Sequence, residues 1–258
     1  MGDDLLNSGG LQQWAWASLL LGLRVAPVFA LAPPFTLTRV PPLFRVLLAL
    51  GLSGMLSAAD RGTVGVADFG AGWLVAAAMR ELFLGTVVVL AFQLAFGALF
   101  LAGRTVDIQA GFGLAGVIDP STRNQSPLVG TLFALAAATI FFAMNGHHDL
   151  LRLFAASLEA VPLGTASPPD TLERLFAYAA AVFIVALGVA GALMLGLFLA
   201  DLAIAMMSRT MPQMNVLVLG FQVKTLLLLA LLPVAFGAGA AVLTRLMSMT
   251  LQALPGLL

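Results

Sequence analysis

Four groups of residues in this 258-residue chain have the types and spacing for chemistry. Gly51-Leu52-Ser53-Gly54 spells the G-x-S-G of an intramembrane serine hydrolase, which needs a histidine base within hydrogen-bond reach. The histidines are His147 and His148, in a segment expected as a loop after a later apolar stretch, not on a helix at the depth of the serine. Small residues also let helices approach closely, and a packing face is the reading favoured here. Asn145-Gly146-His147-His148-Asp149 offers two imidazoles and a carboxylate as the start of a metal site. Adjacent helical residues point roughly 100° apart and no further ligand is identifiable, so a helix C-terminus closed by Gly146 at the membrane interface is expected instead.

Arg80, Glu81, Asp201 and Lys224 are the charges set deepest in apolar sequence. A charge at mid-bilayer costs roughly 2.5–3.5 kcal/mol on insertion scales, so each must pair, face water or lie outside the lipid. A proton or ion relay is one use; interhelical pairing, with Asp201 against Lys224, is the expected one. The most distinctive stretch runs from 102 to 120 and contains Gly103, Asp107, Gln109, Gly111, Phe112, Gly113, Leu114, Val117, Ile118, Asp119 and Pro120. Joining two apolar segments, its backbone groups could not be satisfied by lipid. It must be buried in protein, line an aqueous path, or lie at the interface as a re-entrant connector.

The elements that position these residues follow from composition. Hydrophobic residues make up 61% of the chain and charged residues 9%, against roughly 25% charged in a soluble domain. Too few charges remain to cover a soluble fold. Apolar runs at 14–33, 43–59, 73–101, 127–144, 177–207 and 214–243 approach or exceed the roughly 20 residues that cross a hydrocarbon core. The fold class expected is all-α: a polytopic membrane protein of about six apolar helical segments arranged as hairpins, over a single domain spanning 1–258. The third, fifth and sixth runs exceed one untilted crossing, so parts of them are expected to bend or leave the lipid. The Lys and Arg residues divide almost evenly between alternate loops and fix no orientation. The acidic start Met1-Gly2-Asp3-Asp4 lacks the basic region of a cleaved leader, so the first apolar run is expected to be retained.

Net charge is zero and the basic residues are scattered, which leaves no footprint for nucleic acid. Cysteine is absent, so thiolate metal sites, disulfides and cysteine nucleophiles are excluded. No cofactor and no metal is expected. The two halves show no similarity of the kind that builds secondary transporters.

The 102–120 stretch resembles the AG-x-x-x-D-x-Q-x-G…DP signature of the FliR/SctT family of flagellar and type III secretion export-gate subunits. The matching residues are Ala102-Gly103, Asp107, Gln109, Gly111 and Asp119-Pro120. Three further blocks fall in family order: Arg24 with Ala26-Pro27 and Pro41; Asn145-Gly146-His147-His148 followed by Ser157 and Pro162-Leu163-Gly164; and Pro212-Gln213-Met214-Asn215 leading to Gly220-Phe221 and Lys224. Arg104 stands where the family often has glutamate, Gln222 where it has proline, and Leu114 and Val117 where many relatives place aromatics.

The resemblance implies a non-enzymatic, pore-forming subunit of an inner-membrane export gate within the flagellar basal body, with some helices lifted out of the bilayer plane. It implies FliP-like and FliQ-like gate partners, FlhA-like and FlhB-like export components, the basal-body ring, and unfolded protein substrates. An injectisome gate is the alternative, with the pattern of blocks favouring the flagellar one. In that setting residues 111–118 would form a plug: glycines allow a tight turn, while Phe112, Leu114, Val117 and Ile118 supply bulk that excludes water and ions.

Overall fold

The computed structural model describes residues 8–38, 40–59, 70–112, 127–165, 171–211, 213 and 215–257. Among them every regular element is a helix: α1 (Ser8–Leu31), α2 (Pro33–Thr36), α3 (Pro42–Ala59), α4 (Ala71–Ala110), α5 (Leu128–Ala143), α6 (Gly146–Ala160), α7 (Thr171–Thr210) and α8 (Val216–Leu257). The helix α4 has 40 residues, α7 has 40 and α8 has 42. At 1.5 Å per residue each runs about 60 Å, twice the roughly 30 Å of a hydrocarbon core. Four helices are long and apolar enough to cross a membrane, or five if the bent pair α5 and α6 forms one broken span. The apolar part of α3, Pro42–Ala58, falls short of that length.

Each apolar run expected from the sequence is a helix; beyond them stand the four-residue α2 and one longer helix, α6, that was hidden. Its buried residues Leu150, Phe154, Ser157 and Leu158 recur at helical spacing, while His148, Asp149, Arg152 and Glu159 face outward. Such an amphipathic pattern lacks the sustained hydropathy that marks a span. The chain enters α6 through Asn145, a non-glycine residue at φ 60°. Asn145, and not Gly146, therefore takes the left-handed turn conformation, which asparagine tolerates. Gly146 opens the next helix because a Cβ there would sit 2.6 Å from the ring of Phe141.

The chain divides into two compact units, each drawn from separate stretches. One holds residues 1–94, 141–179 and 249–258; the other holds 95–140 and 180–248. In the first, α1 and α3 form an antiparallel hairpin: Arg45 donates to the Ala30 carbonyl, Leu50 packs at Gly22, and Trp14 Nε1 donates to the Gly54 carbonyl. Between them Pro33 and Pro34 start α2, where proline's missing N–H costs nothing. An aromatic cluster fills this unit, with Phe35 6.1 Å from Phe141 and Phe92 5.6 Å from Phe141, both edge to face. In the second unit Phe133 meets Phe236 edge to face at 5.7 Å, and Leu193, Leu197 and Leu228 are buried.

Candidate functional site

Each unit carries a polar constellation centred on buried charge. In the first unit the centre is Arg24, on α1, with no exposed surface. A guanidinium has five N–H donors in a fixed fork, and all five are used. Nε donates to Glu81 Oε2 at 2.6 Å and Nη2 to Glu81 Oε1 at 3.1 Å. Nη2 also donates to the Val161 carbonyl at 3.0 Å, while Nη1 donates to the Ser157 carbonyl at 3.2 Å and to Ser157 Oγ at 3.0 Å. Glu81, equally buried, also accepts the Gly164 N–H at 2.8 Å through Oε1. Arg80 next to it donates to the Gly164 carbonyl at 2.6 Å.

These contacts tie α1, α4, the end of α6 and the turn after it to one buried charge pair. The turn is shaped for this: Gly164 sits at φ +76°, and a Cβ there would lie 2.9 Å from the Trp73 ring. Pro162 is half-buried, and its carbonyl accepts from Thr165.

In the second unit the constellation lies at the end of α4. Gly103 and Asp107, one helical turn apart, share a face turned to the start of α5. A Cβ on Gly103 would fall on the backbone of Gly130, so only glycine allows this approach. The Asp107 carboxylate accepts the Val129 N–H, with oxygens at 3.2 and 3.1 Å. Val129 is in the first turn of α5, whose amides have no partner within their own helix, so a carboxylate from α4 serves as the cap.

Gln109 looks the other way. Its Nε2 donates to the Met194 carbonyl of α7 at 3.0 Å, and its backbone carbonyl, left over in the last turn of α4, accepts from Lys224 Nζ of α8 at 2.9 Å. A cation at a helix C-terminus is favoured by the unpaired carbonyls and the dipole. The same Nζ lies 2.6 Å from Asp201 Oδ1 on α7. Gly111 follows at φ +94°, the turn that ends α4, and Phe112 meets Phe221 edge to face at 6.3 Å. Phe221 is one turn before Lys224 on α8, so the two residues together hold the α4 terminus.

The structure thus brings Gly103, Asp107, Gln109, Gly111, Phe112, Asp201, Phe221 and Lys224 together around one helix end. Gly220 is buried beside Ile204, and Gln213 is exposed between α7 and α8. Gly113, Leu114, Val117, Ile118, Asp119, Pro120 and Pro212 lie outside the described residues. Asn145, Gly146 and His147 belong to the first unit. The His147 and His148 rings are 4.2 Å apart, and among the described residues no third metal-ligating side chain joins them. Ser53 is buried and donates to the Ala49 carbonyl of its own helix at 2.8 Å, a common back-bond for a helical serine.

The partnership of Arg24 with Glu81 is what sequence reasoning missed. A lone arginine seven residues from the nearest helix end, inside apolar sequence, demands a buried acid, and that demand was the available signal.

A family model described as "Bacterial export proteins, family 1" matches residues 15–250. The flagellar biosynthetic protein FliR of Bacillus subtilis is 30% identical over 247 residues, 94% of each chain. The protein of the same name from Escherichia coli is 27% identical over 217 residues, 81% of each chain. The Yop proteins translocation protein T of Yersinia pestis is 28% identical over 149 residues, 57% of each chain.

Proposed function

Because this chain belongs to the bacterial export proteins, family 1, we propose that it is a structural subunit of the flagellar type III protein export gate in the bacterial inner membrane, required for passage of unfolded flagellar subunits. The observation that carries this reading is the likeness to a flagellar biosynthetic protein along 94% of both chains, whereas the likeness to the Yop translocation protein covers 57%. The role is assembly, not catalysis. Three buried groups that could have been reactive have structural partners: Ser53 its own helix, Glu81 an arginine, Asp107 a helix terminus. Its companions are FliP-like and FliQ-like gate subunits, FlhA-like and FlhB-like export components, and the basal-body ring around them.

Within that gate residues 111–118 act as the plug. Support comes from where the segment begins: Gly111 turns the chain out of α4, and Phe112 is already seated on Phe221. A strain lacking the gene should be non-motile and export no filament protein, and the chain should co-purify with the FliP-like and FliQ-like subunits when restored. Loss of injectisome effector secretion with intact flagella would transfer the chain to the other system. Deleting 113–118 in a gate that still assembles should raise ion leakage; an unchanged permeability barrier would make the segment a connector.

A further inference from the structure

Charged side chains inside apolar helices are costly, and this chain gives almost all of them partners. Within the four candidate spans Arg24 pairs with Glu81, Asp201 with Lys224, Arg80 with the Gly164 carbonyl, Asp107 with the Val129 amide and Arg174 with the Gly256 carbonyl. Glu173 lies in the first turn of α7 and Arg209 in its last, where the helix dipole favours each sign. Among the described residues of these spans one charge fits neither description. Arg104 is exposed, unpartnered and six residues short of the end of α4.

Its surroundings are those of a contact face. Gly97, Leu101, Arg104 and Ile108 recur at i, i+4, i+7 and i+11, which places them along one side of α4, with Phe100 beside them. All are exposed, Ile108 by 61%. A Cβ on Gly97 would meet nothing within 4 Å, so another helix could approach the backbone there closely. Guanidinium is a planar fork that matches a carboxylate through two parallel hydrogen bonds.

We propose that this face of α4 seats an apolar helix of another membrane subunit, and that the helix carries an aspartate or glutamate opposite Arg104. Charge complementarity selects this occupant. A second copy of this chain fits less well as the source, since the acids within its own four candidate spans are already paired or terminal. Lipid would account for the arginine through its headgroups and for the bulky residues through its tails, but it gives no use to the open glycine in line with them. This contact is independent of the plug and holds for either export system.

The test uses the full-length chain at native level in its own membrane, with a photo-crosslinking amino acid in place of Ile108. Crosslinks should reach one membrane subunit, in an apolar helix that contains a carboxylate. Arg104→Glu should lower the yield by roughly tenfold or more, as breaking a desolvated charge pair does, and Arg104→Lys should fall between. Exchanging the captured carboxylate for arginine in the Arg104→Glu background should restore it. Should Arg104→Glu fail to accumulate, the amide in place of the partner's carboxylate must lower the yield with this chain unchanged. Crosslinks to lipid alone or to a second copy, a captured helix without a carboxylate, a yield insensitive to charge on both sides, or an exchange that restores nothing would overturn the proposal.

Discussion

Arg24 and Glu81, 57 residues apart in the chain, meet at 2.6 Å with almost no exposed surface on either side chain. Removing one member of such a pair strands the other, at a cost of roughly 3–5 kcal/mol, whereas replacing both with apolar residues of similar size can be neutral. Arg24→Met and Glu81→Met should each abolish accumulation of folded chain, and the double substitution should recover part of it. Protease resistance in membranes reads this out. A double variant as unstable as the worse single one would mean that the five-fold hydrogen bonding, not the charge pair, carries the effect.

Arg24→Lys should behave almost as poorly as Arg24→Met. An ammonium has three donors and no fork, so it cannot reach Glu81, Ser157 and Val161 together. Stability of the lysine variant within about 1 kcal/mol of the natural chain would show that the outer hydrogen bonds contribute little.

Glycines separate into two classes that differ in mutability. Gly103→Ala drives a methyl group into the Gly130 backbone and should cost about 1–3 kcal/mol or force the α4 and α5 backbones apart. Gly188→Ala on α7 meets open space and should be neutral or stabilise by up to roughly 1 kcal/mol through helix propensity. Thermal unfolding of both in one detergent makes the comparison.

Lys224 has two tasks, so its replacement should be worse than that of Asp201. Lys224→Met loses the Asp201 contact and uncovers the Gln109 carbonyl, while Asp201→Asn loses only the first. Exchanging the two as Asp201→Lys with Lys224→Asp should improve on the single reversals without reaching the natural level of assembly, measured by co-purification with gate subunits. An exchange no better than either reversal would argue against direct pairing.

Helix positions were legible in the sequence because lipid-length apolar runs have few other solutions. What escaped was of two kinds. The amphipathic α6 escaped because half its surface is polar and it follows a turn made by Asn145, so it reads as a loop. The pairing of Arg24 escaped because its acid lies 57 residues away on another helix, a separation that no local spacing reports. Glu81 turns to α1, while Arg80 turns to the Gly164 carbonyl. For Asp107 and Gln109 the motif marked the positions, but their tasks depend on which helix termini come near, α5 for one and α4's own for the other. Spacing along one helix carries no information about that.

The order in which Arg24 gains its partners also bears on how the chain is made. Glu81 leaves the ribosome 57 residues after Arg24, and Ser157 follows 133 residues after it. At common rates of synthesis the full set arrives on the order of ten seconds late. Throughout that interval α1 is an apolar helix with a bare guanidinium about two turns from its end. It must wait at the membrane surface, or be held by insertion machinery that supplies acceptors, until α4 and α6 follow. Nascent chains stalled before residue 81 has left the ribosome should therefore remain extractable from the membrane, and those stalled after residue 164 has left it should not.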